Sequence, residues 1–208
     1  MKKMATLFAA TIFAFTVAPV TANELVNPGF EAPVAAPEYY GADAWSNFGG
    51  GIFTQDVLVG PANSGTQALK MFGGCCSGAF QQFPASPGET WNGGAWLLNW
   101  SGDQMAGGQV AAVNIEWIQA DGSTQSAITP FISNGTFDAT APVDTWTLQT
   151  ITGEAPADAA FARFVVITGD FLPGGPGGAP RYDDAFFENL GPVSVEDTTF
   201  GHIKALYR

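Results

Sequence analysis

The sequence predicts an all-β fold, a β-sandwich or barrel closed by bringing its first and last strands together. Three observations lead there. Short runs of strand-like residues follow one another with no long helical period. Turn chemistry separates them at Asn63-Ser64-Gly65, Ser86-Pro87-Gly88, Asp121-Gly122, Asn134-Gly135 and Pro142-Val143-Asp144. An opening run, Leu25-Val26-Asn27-Pro28-Gly29-Phe30-Glu31, is answered near the far end by Arg181-Tyr182-Asp183-Asp184-Ala185-Phe186-Phe187. Both carry carboxylates, as expected of first and last strands brought side by side.

Taken in order, residues 1–22 read as a secretory signal: Lys2 and Lys3, an apolar stretch from Ala5 to Val20, and small residues at Val20-Thr21-Ala22. That stretch is shorter than the ~20 residues a spanning helix needs, and no later stretch could span. The expected chain is bacterial and secreted or extracellular, periplasmic before release, and begins at Asn23. Residues 23–190 form the sandwich. Strands are expected at 24–31, 43–57 (broken at Gly49-Gly50-Gly51), 66–73, 78–84, 89–99, 109–119, 124–132, 143–152, 160–169 and 180–190. Val113, Ile115 and Trp117 alternate with Asn114 and Glu116, the period of a half-buried strand. Trp146 and Leu148 alternate with Thr147 and Gln149 in the same way. The Gly- and Pro-rich stretch 172–180 reads as a mobile loop, because strand-like sequence resumes directly after it. Residues 191–208 form a tail in which Phe200, Ile203 and Leu206 fall at helical spacing beside His202, Lys204 and Arg208.

Without the signal the chain holds five basic against 19 acidic residues, a net charge of −14. Such a surface repels phosphate backbones and anionic lipid, so no nucleic-acid partner is expected. The two cysteines, Cys75 and Cys76, are neighbours between Gly73-Gly74 and Ser77-Gly78. Adjacent Cα atoms stand ~3.8 Å apart, closer than the ~4.4–6.8 Å of ordinary disulfides. A vicinal disulfide, two thiols and bonds between chains all remain open readings.

Several segments resemble one family. Besides the two end runs, these are Ser64-Gly65-Thr66-Gln67-Ala68-Leu69-Lys70, Phe83-Pro84-Ala85-Ser86-Pro87-Gly88-Glu89-Thr90-Trp91, and Asp144-Thr145-Trp146-Thr147 with Ala155-Pro156-Ala157. Their order and spacing over residues 24–190 resemble carbohydrate-binding modules of the CenC-like, galactose-binding jelly-roll family. The resemblance implies a jelly-roll β-sandwich of two antiparallel sheets that binds glycan without cleaving it. It also implies a structural calcium near the junction of first and last strands, with Glu31, Asp183 and Asp184 as ligands. Asp183 and Asp184 should point to opposite faces of a strand, leaving one of them inward.

Glycan binding calls for aromatic platforms and planar hydrogen-bonding groups. The candidates are Trp96, Trp100, Trp117, Tyr39, Tyr40, Gln81 and Gln82, with Trp100 the best exposed choice beside Asn99 and Ser101-Gly102-Asp103. Trp45, Trp91 and Trp146 resemble core positions of the family. No enzyme is expected: the single histidine, His202, lies in the tail, and no Ser-His-Asp, Cys-His or His/Cys metal cluster can be built. Glu116, among aromatics, is the one acid that invites a glycosidase reading. Asn99-Trp100-Ser101 and Asn134-Gly135-Thr136 match the N-glycosylation pattern by accident. The expected function is therefore binding of neutral glycan, a polysaccharide or oligosaccharide, with a structural calcium. The alternative is a subunit of an extracellular assembly that self-associates through the cysteine pair and the tail.

Overall fold

The computed structural model of the protein describes residues 22–34, 41–49, 51–56, 60–72, 76–127 and 137–192. Tyr39, Tyr40, Cys75, the 128–136 stretch and the tail beyond 192 lie outside the described residues, as do residues 1–21. Strands are numbered here in chain order.

Two antiparallel sheets face each other. The first runs β1 (Ser46–Phe48), β4 (Ser77–Pro84), β11 (Phe161–Asp170), β7 (Gln109–Ile118), β8 (Thr124–Ala127), with β9 (Phe137–Asp138) also pairing β7. The second runs β10 (Thr147–Glu154), β5 (Glu89–Leu98), β13 (Arg181–Pro192), β3 (Gln67–Met71), β2 (Ile52–Asp56). The expected break at Gly49-Gly50-Gly51 is the point where the chain passes from the first sheet, in β1, to the second, in β2. Among the described residues no helix is long and apolar enough to cross a membrane.

Alternation decides what lies between the sheets. Val113, Ile115 and Trp117 of β7, Ala162, Phe164 and Val166 of β11, and Trp91, Ala95 and Leu97 of β5 all belong to one buried cluster. A chain of aromatic rings links the layers. Phe30 meets Trp45 at 4.9 Å, Trp45 meets Phe164 at 6.4 Å, Phe164 meets Phe187 at 5.3 Å, and Phe187 meets Trp91 at 4.7 Å. Each such ring contributes ~1.5–3 kcal/mol by leaving water. Tyr182 of β13 adds a polar tie across the core: its hydroxyl lies 2.7 Å from the Ile167 carbonyl and 2.7 Å from the Thr168 hydroxyl of β11.

Three expectations need correction. Residues 24–31 are not a strand. Asn27 (φ 54°) and Phe30 (φ 55°) are left-handed and turn the chain out of extended form. The segment still lies along β13, held by Glu24 N to Phe187 O at 2.8 Å and Ala185 N to Pro28 O at 2.9 Å. The Asn23 side chain donates to Ala185 O at 3.0 Å and accepts from Phe187 N at 3.0 Å. Second, the 172–180 loop carries β12 (Pro176–Gly177), which pairs with β6 (Ala106–Gly107). Third, β10 begins at Thr147 rather than 143, because Asp144 adopts φ 55° and its carboxylate accepts from Ser101 N at 2.9 Å in a neighbouring turn.

Candidate functional site

The outward face of the first sheet brings together groups from three strands. On β4 the inward residues are Ala79, Gln81 and Phe83, so Gly78, Phe80 and Gln82 face away from the core. On β7 Asn114 and Glu116 face away, and on β11 Arg163, Val165 and Ile167 do. The antiparallel register lays these out in rows. Gln82, Arg163 and Glu116 stand directly opposite one another, and so do Phe80, Val165 and Asn114.

The first row is a polar fork. Arg163 Nε and Nη2 donate to Gln82 Oε1 at 3.2 and 2.9 Å, and Nη1 donates to Glu116 Oε2 at 3.1 Å. The guanidinium carbon sits 4.5 Å from the Phe80 ring centroid, a cation–π distance. Phe80 and Phe48 stand 6.3 Å apart at 34°, and the Phe48 ring lies over Gly78, where a Cβ would strike it. Asn114 is buried, and among the described residues its Oδ1 has no hydrogen-bond partner. Arg163 and Glu116 keep about a fifth of their side-chain surface open (23% and 22%). Charge is balanced within the row, and aromatic carbon lies beside planar polar groups.

The expected ligand residues fall elsewhere. Trp117 is 3% exposed and belongs to the core. Its indole has no open face, so it is not a platform. Gln81 is also turned inward: its amide accepts from Val26 N at 3.1 Å and donates to Val26 O at 2.7 Å, clamping the opening segment. Trp96 lies half-buried on the outer face of the second sheet, opposite Leu148 and Asp183. Phe186 lies over Gly94 on that same sheet. Trp100 is half-buried and packs on Gly102, with the Arg181 guanidinium 4.9 Å from its ring. Burial lowers the Arg181 pKa to about 10, with Asp103 opposing the shift. Asp103 also pairs with Lys70 at 2.5 Å. Asn99, fully buried, is unavailable to any glycosylating enzyme in the folded protein.

Glu31, Asp183 and Asp184 lie around Gly29. A Cβ built on Gly29 would lie 3.6 Å from Asp184 Oδ1, 3.7 Å from Glu31 Cγ and 3.8 Å from Asp183 Oδ1. Both aspartates face one loop, against the expectation of opposite faces. The cause is a bulge in β13 after Asp183, where Asp184 adopts φ 44°. Asp183 Oδ2 accepts from Asn63 N at 2.7 Å and Ser64 N at 3.1 Å. Asp184 accepts from Asn63 Nδ2 at 2.7 Å and Ser64 Oγ at 2.6 Å. Glu31 accepts from Thr66 N at 2.8 Å, Thr66 Oγ1 at 2.6 Å and Gln67 N at 3.1 Å. Burial pushes the Asp183 carboxyl up to about 7, although the Ser64, Asp184 and Asn63 amides favour its charged form. The all-oxygen donor set suits a hard cation. Among the described residues, however, no three His, Cys, Asp or Glu side chains form a metal-ligating group.

Cys76 lies at φ 47° just before β4, with its neighbour outside the described residues.

No family model matches the chain, and no curated protein matches it. Solved structures do match in fold. A carbohydrate-binding module, TmCBM61, solved in complex with β-1,4-galactotriose, is 16% identical, with 81% of this chain and 99% of that one covered at a TM-score of 0.51. The CBM22-1 xylan-binding domain of Paenibacillus barcinonensis Xyn10C is 12% identical, with 78% and 91% covered at 0.50. The enzymatically active domain of bacteriophage CBA120 tailspike protein 4 is 11% identical at 0.52. There the match takes 80% of this chain but spans only 21% of the tailspike. The shared architecture is a β-sandwich of the carbohydrate-binding-module kind, spread over several distinct modules rather than one. At such identities the likeness establishes fold and nothing finer.

Proposed function

We propose that the protein is an exported, non-catalytic module that binds neutral glycan on the outward face of its first sheet. The observation that carries this reading is the Gln82–Arg163–Glu116 row, set beside Phe80 and Phe48. A sugar ring stacks its C–H face on an aromatic side chain while its hydroxyls meet planar donors and acceptors. Arg163 offers donors, and Glu116 and Gln82 offer acceptors. Because Glu116 neutralises Arg163, an uncharged ligand is preferred over an acidic one. Of two fold neighbours, one is solved in complex with a galactotriose and the other is a xylan-binding domain, which supports a polysaccharide of neutral sugars. A structural calcium held by Glu31, Asp183 and Asp184 belongs to this reading. It would brace the 63–67 loop against β13 and take no part in ligand contact.

A glycan array probed with calcium present, followed by affinity electrophoresis, tests the proposal. Arg163→Ala and Phe80→Ala are each expected to weaken binding about tenfold, the loss of roughly 1.4 kcal/mol. Trp100→Ala, whose ring covers Arg181, should change affinity less than about twofold on the same scale. Loss of binding with Trp96→Ala and none with Arg163→Ala would move the site to the second sheet.

A further inference from the structure

One end of the sandwich gathers oxygen atoms that lack donors. Gln109 opens β7 and is completely buried. Asp170 closes β11 directly opposite it in register. Both share the inward parity of their strands, with Ala111 two residues on from Gln109 and Thr168 two residues before Asp170. Among the described residues neither Oε1 nor Nε2 of Gln109 has a hydrogen-bond partner, and neither does Asp170 Oδ1, though all three are shielded from solvent. Buried polar atoms are costly when unmatched.

The backbone beside them is built to present more oxygen. A Cβ on Gly108 would run into both Asp170 Oδ1 and the Leu172 carbonyl oxygen. Gly107 adopts φ 63°, and a Cβ there would lie 2.6 Å from the Gly174 carbonyl and against that of Gly175. The 172–178 loop is thereby folded over two glycines, and at Gly108 the Leu172 carbonyl and the Asp170 carboxylate are turned toward the same spot. Carboxylate, amide and backbone oxygens in a glycine-rich turn are the mixture that a hard divalent cation collects, with water completing the shell.

We infer that Asp170, Gln109 and the Leu172 carbonyl form a second hard-cation site, of the calcium class, separate from the Glu31–Asp183–Asp184 cluster. The cation fastens the 172–178 loop to the start of β7. This inference does not rest on the glycan-binding reading.

The test uses the chain from residue 23 onward, stripped with chelator and titrated with calcium by calorimetry. In a Glu31→Gln/Asp184→Asn background, about one equivalent of calcium is expected to bind, and adding Asp170→Asn should abolish it. Gln109→Glu adds a charge to the site. It should tighten calcium at least about tenfold and make the melting temperature rise with calcium. Should the double variant not fold, Gln109→Glu in the otherwise unchanged chain decides, and its rise in melting temperature with calcium is expected to exceed that of the unsubstituted chain. A variant that melts lower and gains no more from calcium than the unsubstituted chain shows that these oxygens hold only water, and overturns the inference. So does unchanged uptake by Asp170→Asn in the double-variant background.

Discussion

Asn99 shows how much one side chain can hold. Its Nδ2 donates to Ala141 O at 3.1 Å and its Oδ1 accepts from Met105 N at 2.9 Å, both in the interior. Removing it strands two buried backbone groups. Asn99→Ala is therefore expected to cost about 2–3 kcal/mol, a fall in melting temperature of roughly 5–10 °C, read by thermal denaturation. Asp183 gives a pH signature. Its folded pKa of about 7 lies above the value near 3.9 expected of an unfolded aspartate. The protonated form is thus favoured by folding. In chelator, the contribution of Asp183 to stability should be full below about pH 4 and be lost as pH rises through about 7. Asp183→Asn should flatten that slope in chelator melts. These residues also mark where sequence reading succeeds and fails. Asn114 and Glu116 were legible as outward from the Val113–Ile115–Trp117 alternation, but that same alternation places Trp117 inside. At the Gln81-Gln82 pair a one-residue choice of parity decides between a core clamp and a surface fork. No local signal makes that choice, because both glutamines satisfy the same composition. Arg163 became visible only once register set it between Gln82 and Glu116.

At the scale of elements, the opening segment is the informative case. Its apolar spacing and its place against β13 were readable, since Leu25 and Phe30 are indeed buried. Its backbone form was not, because two left-handed residues take it out of the ladder and side-chain amides supply the missing bonds. Asn23→Ala removes one such substitute. Hydrogen exchange at the Phe187 amide is expected to speed up at least about tenfold, while amides in β7 and β11 stay protected. The β13 bulge was equally hidden. Asp183-Asp184 reads as plain alternation, and only a residue at positive φ turns both carboxylates to the 63–67 loop. By contrast, β4, β5, β7 and β11 fall within about two residues of their expected bounds, because strong alternation and Gly or Pro turns define them.

For the molecule as a whole, the all-β sandwich followed from pattern and turn chemistry. The assignment of strands to sheets did not, since neighbours such as β11 with β4 and β13 with β3 are far apart in sequence. If the carboxylate cluster binds calcium, chelator should lower the melting temperature by several degrees at pH 7.5, since a ligand at 100 times its Kd adds about 2.7 kcal/mol. An unchanged midpoint would remove calcium from the account. The order of the second sheet carries a separate consequence. Its middle strand, β13, is the last of the described strands to be synthesised, and Asn23, near the start of the described residues, is fastened to it across 162 positions. A nascent chain therefore cannot complete this sheet until β13 has left the ribosome. Until then β5 and β3 have no strand between them to pair with, so the second sheet closes late whatever the first has done.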